Sequence, residues 1–476
     1  MFKYEDIART IEEQIRLGVL KIGQRLPSVR ELCKERNVSP SSVFKAYYAL
    51  EAKGLIEARN RSGYYVSLHP LLEKRDTQKK SDEPQESFYP TSRDTGEIIN
   101  SVERAKLLPD KVVLANATPS NKMLPIGKLR KSAREILIQY GDNLLKYEDA
   151  SGMGPLKNHI VIQASKWGGR FKPEDVVVTS GCLEAINLCL DILTNNGDNI
   201  LIDPLNYFNI REFLTGKPVN IYTFPFNTPD FDAEAFEKTI SEFNITLCLV
   251  CPNFHNPTGI SMADHHKKRL VEIAGAKGVN IIEDDVYGDV YFGTRRPSTL
   301  KSYDRFGCVC YCSSFSKSLA PGFRVGYCLT EAYADKLARA KRLLSLGTSS
   351  LSQAALADFM RTGRFDLHLK ALRKQLHMNL LKYGDAIIRY FPPTVKFNVP
   401  DGGFVLWLRF PASVDGYEFF KESLKSDIVV VPGQIFAQHG THTNYIRLSY
   451  SEPFDELIEQ SVKRLGELAY KMIDES

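Results

Sequence analysis

The sequence predicts an α/β protein in two parts: a small N-terminal module of helices and a hairpin, and a large region organised on a parallel sheet. In the large region, strand-like runs (DVVVTS, NILID, LCLVCP, VNIIEDD, CVCYCSS) alternate with stretches of helical period. That alternation is the mark of a parallel sheet with crossover helices. Toward the C-terminus the pieces shorten to GGFVLWLRF, DIVVVPG and NYIRLSY, which predicts a smaller α+β lobe. Before residue 69 the apolar spacing is helical and then gives way to two short strand-like runs around Gly63.

Composition sets the outer bounds. Apolar residues make up 43% and charged residues 25% of the 476-residue chain, so wholesale disorder and a fibrous repeat are excluded. No uninterrupted apolar run approaches the ~18 residues of a membrane-spanning helix, so no membrane partner is expected. Nine cysteines accompany an N-terminus, MFKYEDIARTIEEQI, that reads as an amphipathic helix and not as a secretory leader; a reducing cytoplasm is the expected compartment. The net charge is +5, and residues 1–68 hold 12 Lys/Arg against 8 Asp/Glu, so most of the excess sits in one short stretch. A polyanion partner is expected there. Between His69 and Thr95 the composition is polar and charged, as in a linker. The expected domains are residues 1–68, a linker over 69–109, and 110–476.

In the N-terminal module, Ile7, Ile11, Ile15 and Leu17 mark a first helix. After a turn through Gly23, Ser28 caps a second helix, and Glu31 three residues on completes a capping box. Ser39 suits the cap of a third helix with Pro40 in its first position, where a missing amide hydrogen costs nothing; Val43, Tyr47 and Leu50 form its buried stripe. Two short helices joined by a tight turn are the geometry of a helix-turn-helix, and the strands around Asn60, Arg61, Ser62 and Gly63 supply a wing. The run from Gly23 to Val66 closely resembles the winged-helix domain of GntR-type bacterial regulators. The resemblance implies double-stranded DNA as partner, with Arg30 on the phosphate backbone, Ser41, Ser42 and Lys45 toward the major groove, and Arg61 and Gly63 at the wing tip near the minor groove. Pro40 stands where many relatives carry Arg or another polar residue.

Five segments of the large region carry chemistry. Lys317 follows a strand and lies among serines, a setting that desolvates an amine and prepares it to attack an aldehyde. Ser314, Ser316 and Arg324 beside it can clamp a phosphate. The apolar strand Ile281–Ile282 ends in acidic residues, the place where open α/β sheets hold ligands; Asp284 can pair with a pyridinium nitrogen and Tyr287 with a ring hydroxyl. Asn256, in Asn-Pro-Thr-Gly after a strand, can donate to the phenolate oxygen of a pyridoxal ring. Cys182 and Leu183 open a helix after a glycine turn, so their backbone amides can bind phosphate. Tyr207 is placed to stack on the ring face. Taken singly, each segment has a plainer reading: a turn, a helix cap, a packing aromatic.

Together and in this order, the segments resemble the fold-type I aminotransferase family, whose cofactor is pyridoxal 5′-phosphate. The resemblance implies that Tyr147 reaches the phosphate of a partner subunit, making the active unit a homodimer, and that Arg447 binds the carboxylate of an amino acid. Cys182–Leu183 replaces the Ser-Gln that catalytic relatives often carry, leaving only backbone donors there. The alternating Cys308, Cys310 and Cys312 read as packing of a central strand, since structural zinc wants a fourth ligand and a different spacing; no metal is expected.

A GntR-type winged helix followed by an aminotransferase-like domain resembles the MocR family of transcriptional regulators. The function this implies is a DNA-binding regulator that senses an amino acid, an amine or pyridoxal phosphate itself through aldimine exchange at Lys317. The alternative is a catalytically active aminotransferase with an accessory DNA-binding domain.

Overall fold

The computed structural model describes residues 3–16, 20, 23–36, 38–59, 62–67, 95–228, 231–437 and 441–475. The chain divides into two units, residues 1–88 and 89–476. The first holds three helices, α1 (Lys3–Arg16), α2 (Val29–Arg36) and α3 (Pro40–Ala52), and an antiparallel hairpin of β1 (Ile56–Arg59) and β2 (Gly63–Val66). The expected capping box is present. Ser28 N donates to the Glu31 carboxylate at 2.7 Å and Glu31 N donates to Ser28 Oγ at 3.3 Å. Those bonds hold the Glu31 carboxyl below its ordinary range. Ser39 caps α3 through the Ser42 amide, with Pro40 in the first turn.

The first unit's core is one layer deep: Ile7, Ile11 and Ile15 of α1 meet Leu32, Val43, Tyr47 and Leu50, and Ile56 and Val66 close it from the hairpin. Leu17, Asn60 and Arg61 lie outside the described residues. The backbone after Gly23 adds to the hairpin edge, where Leu26 N donates to Tyr64 O and Arg25 bridges Tyr65. Tyr47 is fully buried and its hydroxyl donates to Pro27 O at 2.6 Å, tying α3 to the lead-in of α2.

The second unit begins with α4 (Thr95–Ala105), which corrects the expected linker over 69–109. Residues 69–94 lie outside the described residues. Beyond them Ile98, Ile99, Val102 and Ala105 fall on one helical face and are buried, so the apolar spacing outweighs the polar composition. After β3 (Val112–Val113) come α5 (Ile126–Tyr140) and α6 (Gly154–Ser165), then a seven-stranded sheet. Its strands are β4 (Val176–Thr179), β5 (Asn199–Ile202), β6 (Asn220–Thr223), β7 (Ile245–Val250), β8 (Asn280–Asp284), β9 (Val309–Ser314) and β10 (Gly326–Leu329). The order is β4-β10-β9-β8-β7-β5-β6, parallel from β9 through β6, with β10 antiparallel to both its neighbours.

Helix α7 (Cys182–Leu193) follows β4 and packs on the sheet, burying Ile186 and Leu190 against Ile200, Leu247 and Ile282. In that layer Cys310 and Cys312 of β9 meet Cys189 and Cys328. Cys189 Sγ lies 3.8 Å from Cys312 Sγ and 3.6 Å from Cys328 Sγ. Cys308 belongs to another layer, against Asp304.

The smaller lobe holds β11 (Lys396–Phe397), β12 (Val405–Arg409), β13 (Ile428–Val429), β14 (Val431–Pro432) and β15 (Tyr445–Ser449). Four of these form an antiparallel sheet in the order β11-β12-β15-β14, while β13 pairs in parallel with β3. No helix among the described residues is long and apolar enough to cross a membrane.

Replacing Tyr47 by Phe removes one hydroxyl and leaves the Pro27 carbonyl without that donor. The N-terminal unit then loses about 1–3 kcal/mol of stability, read as a lower midpoint in its thermal unfolding; an unchanged midpoint would contradict the role assigned to this bond.

Candidate functional site

The carboxyl ends of the parallel strands open into a cavity of about 240 Å³, and the expected side chains of the large region, with one exception, line it. Lys317, Asp284, Tyr287, Asn256, Tyr207, Cys182, Leu183, Ser314, Ser316, Arg324 and Arg447 all contribute to its wall. The exception is Tyr147, which is 87% exposed and lies outside the cavity.

Strand β8 ends in three consecutive acids, and its pleat separates their roles. Glu283 turns away from the cavity and accepts from the amides of Leu300 and Lys301; burial pushes its carboxyl up to about 8. Asp285 is held by Arg296 at 2.6 Å, Asn253 at 2.9 Å and Tyr311 at 3.0 Å. Asp284 alone reaches the cavity, where the Cys182 thiol donates to it at 3.5 Å. Burial raises the Asp284 carboxyl to about 6 despite that hydrogen bond. It therefore carries its charge at neutral pH, in a place where a cationic ring nitrogen gains most from it.

Lys317 is partly accessible through the cavity, yet the protein around its amine excludes enough water to lower its pKa to about 8. Desolvation is the main cause, and the Arg447 cation adds to it, while Asp284 opposes both. The amine lies 5.7 Å from the centre of the Tyr287 ring. Tyr287 Oη accepts from Asn256 Nδ2 at 3.4 Å, and Asn256 Oδ1 accepts from Arg447 Nη1 at 2.8 Å. A chain of polar contacts thus links the NPTG turn to the small lobe.

Arg447 is 4% exposed and lies over the Phe436 ring. Its Nη2 donates to Ala115 O, and its Nε has no partner. A buried guanidinium with a spare N–H beside a cavity is built to accept an anion.

At the other end of the cavity, Ser314 Oγ and Ser316 Oγ lie 2.9 Å apart, and Arg324 donates to Ser316 Oγ and Ser180 O. Gly181 adopts φ +97°, and a Cβ there would stand 2.5 Å from Arg324 Nη2. The bare glycine thus lets the Arg324 guanidinium pack directly against the turn that leads into α7. Together, the helix N-terminus, two hydroxyls and one guanidinium form a donor set for a phosphate.

The sequence reading missed several lining residues. Glu103 of α4 and Lys106 just past its end, paired at 2.8 Å, reach the cavity from a stretch expected to be linker. Asn206 and His255 are buried in its wall, with His255 Nε2 3.0 Å from Leu205 O. The apolar spacing of Ile98, Ile99 and Val102 was the available signal for α4; nothing in the sequence marked Asn206.

In the N-terminal unit, Arg30, Ser41 and Lys45 are exposed, and Gly63 opens β2. Ser42 is half-buried and turned toward the cap, its Oγ 3.0 Å from Ser39 Oγ. Arg61 lies outside the described residues.

Residues 110–465 match the family described as aminotransferase class I and II, and residues 3–66 match bacterial regulatory proteins of the gntR family. The chain is 32% identical to the uncharacterized HTH-type transcriptional regulator YdcR of Escherichia coli, over 98% of this chain and 99% of that one. It is 29% identical to the HTH-type transcriptional regulator NorG of Staphylococcus aureus, over 93% and 98% of the respective chains. Among solved structures it is similar to LysN, the α-aminoadipate aminotransferase of Thermus thermophilus, complexed with N-(5′-phosphopyridoxyl)-L-leucine. That likeness has a TM-score of 0.73 and 27% identity, over 81% of this chain and 98% of LysN. The chain belongs to the aminotransferase class I and II family, with a gntR-family regulator domain at its N-terminus. The cofactor that goes with this fold is pyridoxal 5′-phosphate, and the cavity fits it: an amine of lowered pKa, a charged carboxylate, and a phosphate cradle that a Cβ at position 181 would fill.

Gly181→Ala forces a side chain into that cradle and a positive φ on a residue that resists it. Equilibrium titration with pyridoxal phosphate is expected to show binding weaker by roughly 5- to 150-fold, the equivalent of a strain of roughly 1–3 kcal/mol; unaltered affinity would refute the cradle. The rate of cofactor capture depends on the neutral Lys317 amine, which forms as pH rises through about 8. Stopped-flow absorbance is expected to show capture accelerating between pH 7 and 9 and levelling above. A rate still climbing steeply at pH 10 would mean an ordinary lysine.

Proposed function

We propose that this chain is a pyridoxal-phosphate-dependent, DNA-binding transcriptional regulator of the cytoplasm, acting as a homodimer and sensing an amino acid, an amine or the cofactor itself. The observation that carries this reading is the combination, in one chain, of a gntR-type reader with an amine, a carboxylate and a guanidinium lining one cavity. The working division is residues 1–68 as reader, 69–94 as connection and 95–476, α4 included, as sensor.

When bound, the cofactor would supply an electrophilic carbon toward amines. In this reading Lys317 would provide the amine that holds it. Asp284 keeps the ring nitrogen protonated, Asn256 and Tyr287 bind the ring oxygen, and Tyr207 covers the ring face. The amides of Cys182 and Leu183, with Ser314, Ser316 and Arg324, take the phosphate. Arg447 takes the carboxylate of an amino acid through its spare N–H. The exposure of Tyr147 supports a place at a subunit boundary, where it would reach the partner's phosphate. Arg30 and Lys45 neutralise DNA phosphates, Ser41 and Ser42 lie near the major groove, and Arg61 and Gly63 form the wing tip.

Any effect of an amine on DNA binding requires unequal affinity for the two states of the sensor, typically about 1–3 kcal/mol, or roughly 5- to 150-fold. DNA affinity measured with and without a panel of amino acids is expected to shift by a factor in that range for at least one of them. The shift is expected to disappear in Lys317→Ala, and Arg30→Gln with Lys45→Gln is expected to weaken binding and flatten its salt dependence. If no amine shifts DNA affinity, while a two-substrate assay shows many turnovers per second, the chain is a working aminotransferase. The Lys317, Asp284 and Arg447 constellation supports that second reading as well.

A further inference from the structure

We infer that Phe44 reads the C5-methyl group of thymine in the major groove, a base contact that neither the hydroxyls nor the cations of this helix can make. The inference rests on the DNA-binding reading above and assigns one element of its sequence preference.

Helix α3 turns Val43, Ala46, Tyr47 and Leu50 into the core. At about 100° per residue, the opposite arc consists of Pro40, Ser41, Phe44, Lys45 and Tyr48, all exposed. Phe44 is 40% and Tyr48 58% exposed; they are the only large hydrophobic side chains so exposed among the described residues of the N-terminal unit. Their rings stack with centroids 6.2 Å apart and planes at 24°, so Tyr48 props Phe44 from the following turn. The propped ring has little conformational freedom left to lose on binding.

The surroundings identify the occupant. Phe44 shares a groove between α2 and α3 with Val29, Arg30, Cys33, Lys34 and Pro40. Exposed cations therefore flank the ring: Arg30 and Lys34 across the groove, and Lys45 next in the chain. A cationic rim around a small apolar spot suits a polyanion that carries isolated apolar groups, and two rings are far too little for a stable protein interface, which takes about 800 Å² per partner. In the major groove the thymine methyl is the apolar group that base edges present, and Phe is one of the side chains that contacts it. Position 44 is the fifth residue of α3, in the N-terminal half that a helix-turn-helix presents to base edges. Ser42, engaged with the cap, lies outside the exposed arc.

The test uses the full-length, cofactor-loaded protein and duplexes that it selects from a randomised pool. Each thymine in turn is replaced by deoxyuridine, which deletes only the methyl group. At one thymine per half-site, wild type is expected to bind about fourfold more weakly, the equivalent of about 0.8 kcal/mol for one methyl-sized group. Phe44→Ala is expected to show no penalty there, and Phe44→Leu a reduced one. Wild-type affinity unchanged by deoxyuridine at every position overturns the inference and needs no variant to be informative. So does a full penalty retained by Phe44→Ala, or a Phe44→Ala effect confined to oligomeric state, which would make the face a protein-docking surface. If no duplex is enriched at all, the DNA-binding reading fails and takes this inference with it.

Discussion

Desolvation of one amine organises the large unit. Lys317 lies where the carboxyl ends of β8 and β9 and the start of α7 converge, and the loss of water that lowers its pKa to about 8 is also what lets Asp284 and Arg447 act on it at short range. Placing a cation, a carboxylate and a second cation in one cavity is unfavourable unless each is matched. The fold settles the neighbouring acids in advance: burial pushes Glu283 up to about 8 while two backbone amides donate to it, and Asp285 is paired with Arg296. Asp284, Lys317, Arg447 and the donors around Arg324 keep capacity for a ligand. A cofactor carrying a ring cation, a phosphate and an aldehyde answers the whole set at once.

The two units solve different physical problems. The large unit needs a cavity with desolvated walls and obtains it from a seven-stranded sheet with helices on its faces. The reader needs an exposed helix face, and its small core is supplemented by bonds such as Tyr47 to Pro27. Helix α4, early in the second unit, places Glu103 at the cavity wall, with Lys106 just past its end.

Much of this was legible in the sequence, for physical reasons. Lys317, Asp284 and Asn256 sit where apolar runs stop, and an apolar run that stops at a polar residue marks a strand end, where α/β folds keep their ligands. The capping residues Ser28, Glu31 and Ser39 were legible because a cap is a local interaction. What escaped was whatever depends on three-dimensional neighbours. α4 was hidden because its polar residues continued the composition of the linker, although Ile98, Ile99, Val102 and Ala105 already kept helical spacing. Ser42 looked equivalent to Ser41, and both hydroxyls meet Ser39 Oγ, but Ser42 is half-buried where Ser41 is exposed. The exposure of Phe44 follows from which face of α3 the core claims, and Arg447's spare N–H from how Asn256 and Ala115 occupy its other donors.

The central claim is that a single buried amine holds the cofactor. Its most direct measurement is borohydride reduction of the full-length protein saturated with pyridoxal phosphate, followed by peptide mass mapping. The account predicts one pyridoxyl group per chain, on the peptide containing Lys317. Label scattered over surface lysines, or none retained, would contradict it.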